Sequence, residues 1–371
     1  QDVADGKATE LTGFEIIDDY NFAITLEEPY GAFLACLTTP GASIFDEETT
    51  EQAGDQFGID PAVTIGTGPF TFYGWEFNAE LVLTANKDYW DGAPACEGLI
   101  LKVIPDEATA RMMFENGELD ILDMDNNSSQ LEYFLNNETY KDQIVSGVRV
   151  GIYYICLNEK FTELSDARVR KALQYSIDRQ AILDSLYAGL GELENGIFPH
   201  GLIGYNADLP EIPYDVDQAK ELLAEAGYPD GFEMELCYSS DAGQTTKDML
   251  EIISAYWAEI GVTAKVTEVD EGSFYDMRAA GEIEAYTSNW SADFNDPDNF
   301  VYSFFGNEGN IERRGFGYSN SEAIARVAAA RAIVDEDKRI AEYQDLEKLI
   351  IQDDAAWVPL FSKQHLFVVN P

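Results

Sequence analysis

The stretch Phe232-Glu-Met-Glu-Leu-Cys-Tyr238 reads as a strand, and the order of elements after it decides the fold. Residues 244–260 carry a helical pattern that stops at Gly261, and 262–269 is a second strand. A short helix then ends at Gly281, and a third strand covers 285–289. This β-α-β-α-β succession marks a covered α/β sheet, because parallel neighbours need a crossover and the crossover helix hides one face.

Upstream, Asp166 is a good N-cap for a helix whose Val169, Leu173 and Ile177 share one face. Asp178 restarts it, Gly189 ends it, and 215–226 is a further helix closed by Gly227. Downstream, two helices (321–334 and 337–353) precede a terminal strand region, 358–369. The first part of the chain is richer in strands. Phe22, Ile24 and Leu26 alternate with smaller or polar residues, and Pro29 opens an apolar helix ending near Gly41. Residues 70–77 and 81–86 flank Asn78-Ala79 as a hairpin, and Leu99, Leu101 and Val103 alternate as a strand. Pro105-Asp106 starts a helix that ends at Gly117, and 146–157 is one extended stretch. Trp75 and Trp90 are assigned to the core of this part. The boundary falls near 146–151. The expected division is 1–148, a partial first lobe; 149–357, a second lobe; and 358–371, a terminal strand returning toward the first lobe.

Composition narrows the function. The 371 residues include 69 acidic and 23 basic side chains, a net charge of −46. Such a chain repels nucleic-acid phosphates and anionic headgroups. Disorder is the other reading of this charge, but 46% hydrophobic and 12% aromatic residues suffice for packed cores. The length suggests two domains, and no apolar run approaches the roughly 18 residues of a membrane span. Gln1 opens the chain without a methionine or a signal peptide, as in a processed protein or an excised piece. Cys36, Cys96, Cys156 and Cys237 lie far apart without CxxC spacing, which favours buried apolar fillers over zinc ligands or disulfides.

Ligands of open α/β sheets collect beyond the carboxyl ends of strands. The strand 285–289 runs there into Trp290-Ser-Ala-Asp-Phe-Asn-Asp-Pro297, an aromatic face beside a carboxylate. Asp293 suits a ligand ammonium; equally, Asp293 or Asp296 caps the helix after Pro297. Pro297 and Asp298 at its fifth and sixth positions argue against a calcium loop. Gly66-Thr-Gly-Pro69 lacks the Lys-Ser/Thr ending of a phosphate loop and reads as a turn. A nucleophile with a histidine base would have to use His200 or His365, neither in a recognisable setting. No metal-ligand spacing is present.

Several blocks resemble the solute-binding proteins of ABC importers, family 5, the oligopeptide/dipeptide/nickel class. They are Ile65-Gly-Thr-Gly-Pro-Phe70, Asn86-Lys-Asp-Tyr-Trp90 with Gly92-Ala-Pro94, and Glu107-Ala-Thr-Ala110 with Asn116-Gly-Glu-Leu-Asp120. Leu157-Asn158, Asp166-Ala-Arg-Val-Arg-Lys-Ala172, Ser176-Ile-Asp-Arg179 and Tyr214-Asp215 follow in order. Ala219-Lys-Glu-Leu-Leu223, Ala226-Gly-Tyr-Pro-Asp-Gly-Phe232 and the Trp290–Pro297 segment complete a collinear series over nearly the whole chain.

The resemblance implies an α/β, two-lobed, periplasmic-binding-protein type II-like (Venus-flytrap) fold. The first lobe is incomplete: a leading segment with an inserted subdomain is absent, and so is the extreme C-terminus. It implies an extracytoplasmic lipoprotein, a monomer with no cofactor, metal or catalysis, that captures a peptide by lobe closure and hands it to an ABC permease and ATPase. In peptide-binding relatives the aspartate of the Trp-x-x-Asp segment, here Asp293, pairs with the peptide's amino group. Backbone around Ser291 would extend the peptide as an added strand. Arg278 matches an arginine that holds the carboxyl end, or it is a plain partner for Glu282 at i+4. Thr287 and the loop 238–243 lack arginines that other members carry. Asn310 matches a ligand-facing asparagine; Tyr153 or Tyr154 lines the cleft while the other is core; Trp290 lines the site or packs beneath it. An oligosaccharide or a nickel complex is the alternative ligand on the same fold. From other classes come a small amide/ester hydrolase and a receptor domain without transport.

Overall fold

The computed structural model describes residues 6–125 and 128–371. Contacts divide the chain into two compact units. One takes the residues up to Thr38 together with Val148–Gln364; the other takes Thr39–Gly147 with His365–Pro371.

The first unit is built on strands β1 (Gly151–Leu157), β2 (Gly191–Leu193), β3 (Glu233–Ser239), β4 (Thr263–Val269), β5 (Ala285–Ser291) and β6 (Trp357–Val369). Their order is β4-β3-β5-β1-β6, with β2 on β6. β3 runs parallel to both β4 and β5, as the β-α-β-α-β pattern requires. β1 is antiparallel to β5 and to β6, so this sheet is mixed. The helices that bear on the core and the site are α1 (Ala167–Tyr175), α2 (Arg179–Tyr187), α3 (Val216–Glu225), α4 (Gly243–Glu259), α5 (Glu271–Ala280), α6 (Pro297–Phe305), α7 (Glu308–Arg314), α8 (Ser321–Ala330) and α9 (Glu336–Glu347).

Alternation along β1 divides the core. Ile152, Tyr154 and Cys156 pack with Phe300, Phe304 and Tyr343 of α6 and α9. Ile155 and Leu157 point to the other face, against Val169 and Leu173 of α1 and Leu250, Ile253 and Trp257 of α4. Trp257 is wholly buried, and its indole N–H donates to Leu173 O at 3.0 Å. The helix starts follow the sequence. Asp166, Asp178 and Asp215 each accept a backbone N–H of the first turn, worth about 1 kcal/mol apiece.

Two carboxylates at the start of α6 are buried with their partners. Asp296 Oδ2 accepts from Arg339 Nη1 at 2.6 Å, and both residues are buried. Asp298 accepts from Tyr343 Oη at 2.8 Å, Arg331 Nε at 3.1 Å and Tyr30 Oη at 2.7 Å. This knot ties α6, the end of α8, α9 and the segment around residue 30 together. Gly31 approaches closely enough that a Cβ there would lie 2.6 Å from Ile333 O.

In the second unit, Phe70–Glu76, Glu80–Ala85 and Gly98–Lys102 form an antiparallel sheet. Asn78 takes the left-handed conformation (φ 58°) that its hairpin turn requires. Phe114 of the helix Glu107–Glu115 packs edge-on to Phe134. Ile121–Asp123 pairs with residues 367–369 of β6.

Several expectations are corrected. The stretch 146–157 is two strands, Ile144–Val148 and β1, with residues 149–150 between them. The helix after Pro29 is only Phe33–Cys36, because Leu34 is 75% exposed and the segment has no continuous apolar face to bury. The helix expected to reach residue 353 leaves α-geometry at Lys348, where a π-turn absorbs the last residues. The terminal strand is shared: through Gln364 it belongs to the first unit, and residues up to Thr38 cluster there too. Trp75 (43% exposed) and Trp90 (77%) lie in solvent rather than in a core. Cys156 and Cys237 are buried free thiols, but Cys96 is exposed.

Removing Arg339 strands the buried Asp296 carboxylate. Arg339→Ala should lose about 3–5 kcal/mol of stability in urea unfolding; a loss below about 1 kcal/mol would contradict the role given to this pair.

Candidate functional site

β5 runs two residues further than its pattern suggests, so Trp290 and Ser291 are the last residues of a strand. They pair with Ile152 and Gly151 of β1. Gly151 is required by this approach, since a Cβ there would lie 2.9 Å from both Ser291 Oγ and Trp290 O. Ala292 N still donates to Val150 O at 2.8 Å, after which the chain leaves the sheet. Asp296 then caps α6 by accepting from Asp298 N at 3.0 Å, with Pro297 at the first helical position. The helix cap is therefore Asp296, and Asp293 is left for another use.

Asn299, in the first turn of α6, holds the segment in place. Its Oδ1 accepts from Trp290 Nε1 and from Asp293 N, both at 3.1 Å. Its Nδ2 donates to Asp293 Oδ2 at 3.0 Å. Asp293 is exposed, and its Oδ1 takes no hydrogen bond from a described residue. A carboxylate oriented through one oxygen and open at the other is ready for an incoming N–H donor.

A basic group lies over the ring of Trp290. Arg314, at the end of α7, places its guanidinium carbon 4.5 Å from the ring centres of both Trp290 and Phe304. Burial, with Arg278 and Arg313 nearby, draws this guanidinium below arginine's ordinary pKa. Arg278, on α5, lies 4.8 Å from the Tyr275 ring centre and 5.9 Å from that of Tyr286. Nε of each arginine lacks a hydrogen-bond partner, and neither forms an ion pair with a described carboxylate. The i+4 pairing of Arg278 with Glu282 is not formed. The Tyr154 hydroxyl is close enough to both arginines to feel their charge; it is wholly buried, has no hydrogen-bond partner, and burial pushes it up to about 12. Some other arginines meet acids (Arg170 meets Glu159 at 3.0 Å, and Arg326 meets Glu342 at 2.8 Å), while Arg111 and Arg179 bond neutral groups.

The structure thus brings together Asp293, Trp290, Ser291 and Arg278 on one region of the first unit, and adds Arg314. Two expected residues are placed otherwise. Asn310 donates its amide to Tyr302 O at 2.7 Å, fastening α7 to α6. Tyr153 lies on the opposite sheet face from Trp290, stacked on Phe361 with ring centres 5.4 Å apart; Tyr154 is the core residue. Arg314 escaped the sequence reading, although a signal existed: its i±3 and i±4 neighbours (Asn310, Ile311, Gly317, Tyr318) include no acid. Both histidines lie beside carboxylates. His200 Nδ1 faces Glu194 at 3.1 Å, and His365 lies by Asp123 at 3.5 Å. Among the described residues no serine, threonine or cysteine hydrogen-bonds to either ring.

Asn299→Ala removes three hydrogen bonds and leaves the Trp290 N–H without its acceptor. It should cost about 1–3 kcal/mol in urea unfolding and shift tryptophan emission to the red. A variant with wild-type stability and emission would contradict the positioning role.

Residues 2–312 match the family model described as bacterial extracellular solute-binding proteins, family 5, middle region. The chain is 30% identical to heme-binding protein A of Haemophilus influenzae, over 94% of this chain and 64% of that protein. It is 27% identical to the dipeptide-binding protein of Escherichia coli, over 96% and 68% of the two chains. The chain spans about two thirds of the length of these relatives. Among solved structures, it superposes with a TM-score of 0.77 and 25% identity on the periplasmic binding protein DppA from Helicobacter pylori in complex with the peptide STSA. That match covers 96% of this chain and 70% of the other. On the family match and the two-unit α/β architecture together, the chain belongs to the bacterial extracellular solute-binding proteins of family 5.

Proposed function

We propose that this chain is the ligand-capturing part of an ABC importer's extracytoplasmic binding protein and that its ligand is a short peptide with both termini free. The observation that carries this reading is the presence of both signs of charge around Trp290. Asp293, held by Asn299, offers a carboxylate oxygen; Arg314, over the Trp290 ring, and Arg278 offer guanidiniums without an ion-pair partner. A zwitterion satisfies both, with the ammonium on Asp293 and the carboxylate on the arginines. The end of β5 supplies backbone for extended pairing with the peptide. A bare nickel ion is disfavoured, because two guanidiniums would repel it. The work is binding without covalent chemistry: the lobes close on the ligand, and the ligand favours the closed state by its differential affinity. Delivery to a permease and ATPase, attachment to the membrane as a lipoprotein and action as a monomer belong to the same reading. It draws support from the dipeptide-binding relative and the peptide complex of the structural neighbour.

Titration calorimetry with a dipeptide, its N-acetyl derivative and its C-terminal amide tests the assignment. Asp293→Asn should weaken dipeptide binding by about 1.5–3 kcal/mol, and N-acetylation should do the same to the wild type. Arg314→Met should weaken binding of the free acid but leave the amide nearly unaffected. Unchanged dipeptide affinity in Asp293→Asn would refute the ammonium role, and equal losses for acid and amide would refute the role of Arg314.

A further inference from the structure

The site around Trp290 holds more positive charge than one carboxylate answers. The Arg278 and Arg314 side chains donate no hydrogen bond to a described residue and form no ion pair. Arg111 and Arg179 lack an acid too, but they bond neutral oxygens, Gln130 Oε1 at 2.9 Å and Asn195 Oδ1 at 3.0 Å. In Arg278 and Arg314 only Nε is buried without a partner. Their outer nitrogens are equally unpartnered but keep access to solvent, so they can meet a ligand. Asp293 supplies one negative charge, and two guanidiniums with one carboxylate leave one positive charge in excess. A peptide with neutral side chains brings one ammonium and one carboxylate and leaves that excess in place.

The two arginines occupy different places. Arg314 lies over Trp290 and Phe304, and Arg278 over Tyr275 with Tyr286 beside it. Tyr286 and Trp290 are four residues apart on one face of β5, about 13 Å along a strand. Each guanidinium therefore has its own station, yet Arg278 is near enough to help burial draw the Arg314 pKa down. Like charges so placed repel until an anion joins them. Two more cations without an ion pair border the region. Arg313 is exposed and reaches only Asn310 Oδ1, at 3.5 Å. The exposed Lys160 extends to Gly281 at the end of α5, where a Cβ would lie 3.7 Å from its Nζ. The acids nearest Arg278 and Arg314 in sequence, Asp276, Glu282 and Glu312, are exposed and pair with neither arginine. The chain's net charge opposes an anion at long range, but salt screens that field beyond about 10 Å, and the local cations then decide.

We propose that the site selects peptides with an acidic side chain, the terminal carboxylate lying on Arg314 and the side-chain carboxylate on Arg278. This rests on the peptide reading above and names the class of peptide. The test is calorimetric titration with Ala-Glu and Glu-Ala against their neutral isosteres Ala-Gln and Gln-Ala. At least one glutamate peptide should bind about tenfold or more tightly than its glutamine counterpart, the size of one charge-assisted bond. Arg278→Gln should bring that ratio to within about twofold of one, because it removes the partner of the side-chain carboxylate. Asp293→Asn should weaken glutamate and glutamine peptides by a similar factor, since all four carry the same ammonium. Equal affinities within both pairs, with the Asp293→Asn loss intact, would overturn this inference and leave the peptide reading standing. A glutamate preference that survives Arg278→Gln would likewise overturn it. If none of the four peptides binds, the peptide reading fails and this inference with it.

Discussion

Two aspartates buried at the start of one helix constrain everything around them. Asp296 and Asp298 are nearly inaccessible to water, and carboxylates in such surroundings persist only with partners that restore what hydration supplied. Arg339, Arg331, Tyr343 and Tyr30 provide that, from elements far apart in sequence. Satisfying the two carboxylates fixes the first turn of α6. That turn carries Asn299, whose one amide group orients both the Trp290 indole and the Asp293 carboxylate. The exposed acid is thus held at second hand by the buried ones, and the rigidity of the site derives from the core.

The net charge of −46 gives this arrangement its contrast. In so acidic a chain an arginine without an acid partner beside the site is informative. Arg278 and Arg314 lie over aromatic rings with their Nε atoms unpartnered, while Arg170, Arg326, Arg331 and Arg339 all meet carboxylates. Cations kept apart from abundant acids are available to an anion from outside.

The central fold was legible because its signals are local. The β-α-β-α-β succession is periodic, and the caps at Asp166, Asp178 and Asp215 are single residues acting on their own turns. The place of Asp293 just beyond the end of a strand was legible from the pattern before it. What escaped depends on distance in space. Arg314 reaches Trp290 across a helix-to-strand contact that no spacing encodes. Tyr153 and Tyr154 are adjacent in sequence, and only the pairing of β1 with β5 and β6 decides which face each occupies. Asn310 matched by position, but its amide is committed to Tyr302 O, a carbonyl in the last turn of α6 that also accepts from Gly306 N. Trp75 and Trp90 carry the hydrophobicity of core residues, yet a side chain is buried only where something covers it.

The most direct measurement is a crystal structure of the protein with a bound short peptide. The peptide's ammonium nitrogen is expected within about 3.2 Å of an Asp293 carboxylate oxygen, and its terminal carboxylate on the guanidinium of Arg314. A peptide bound with Asp293 facing solvent, or with its carboxylate away from both Arg314 and Arg278, would contradict this assignment.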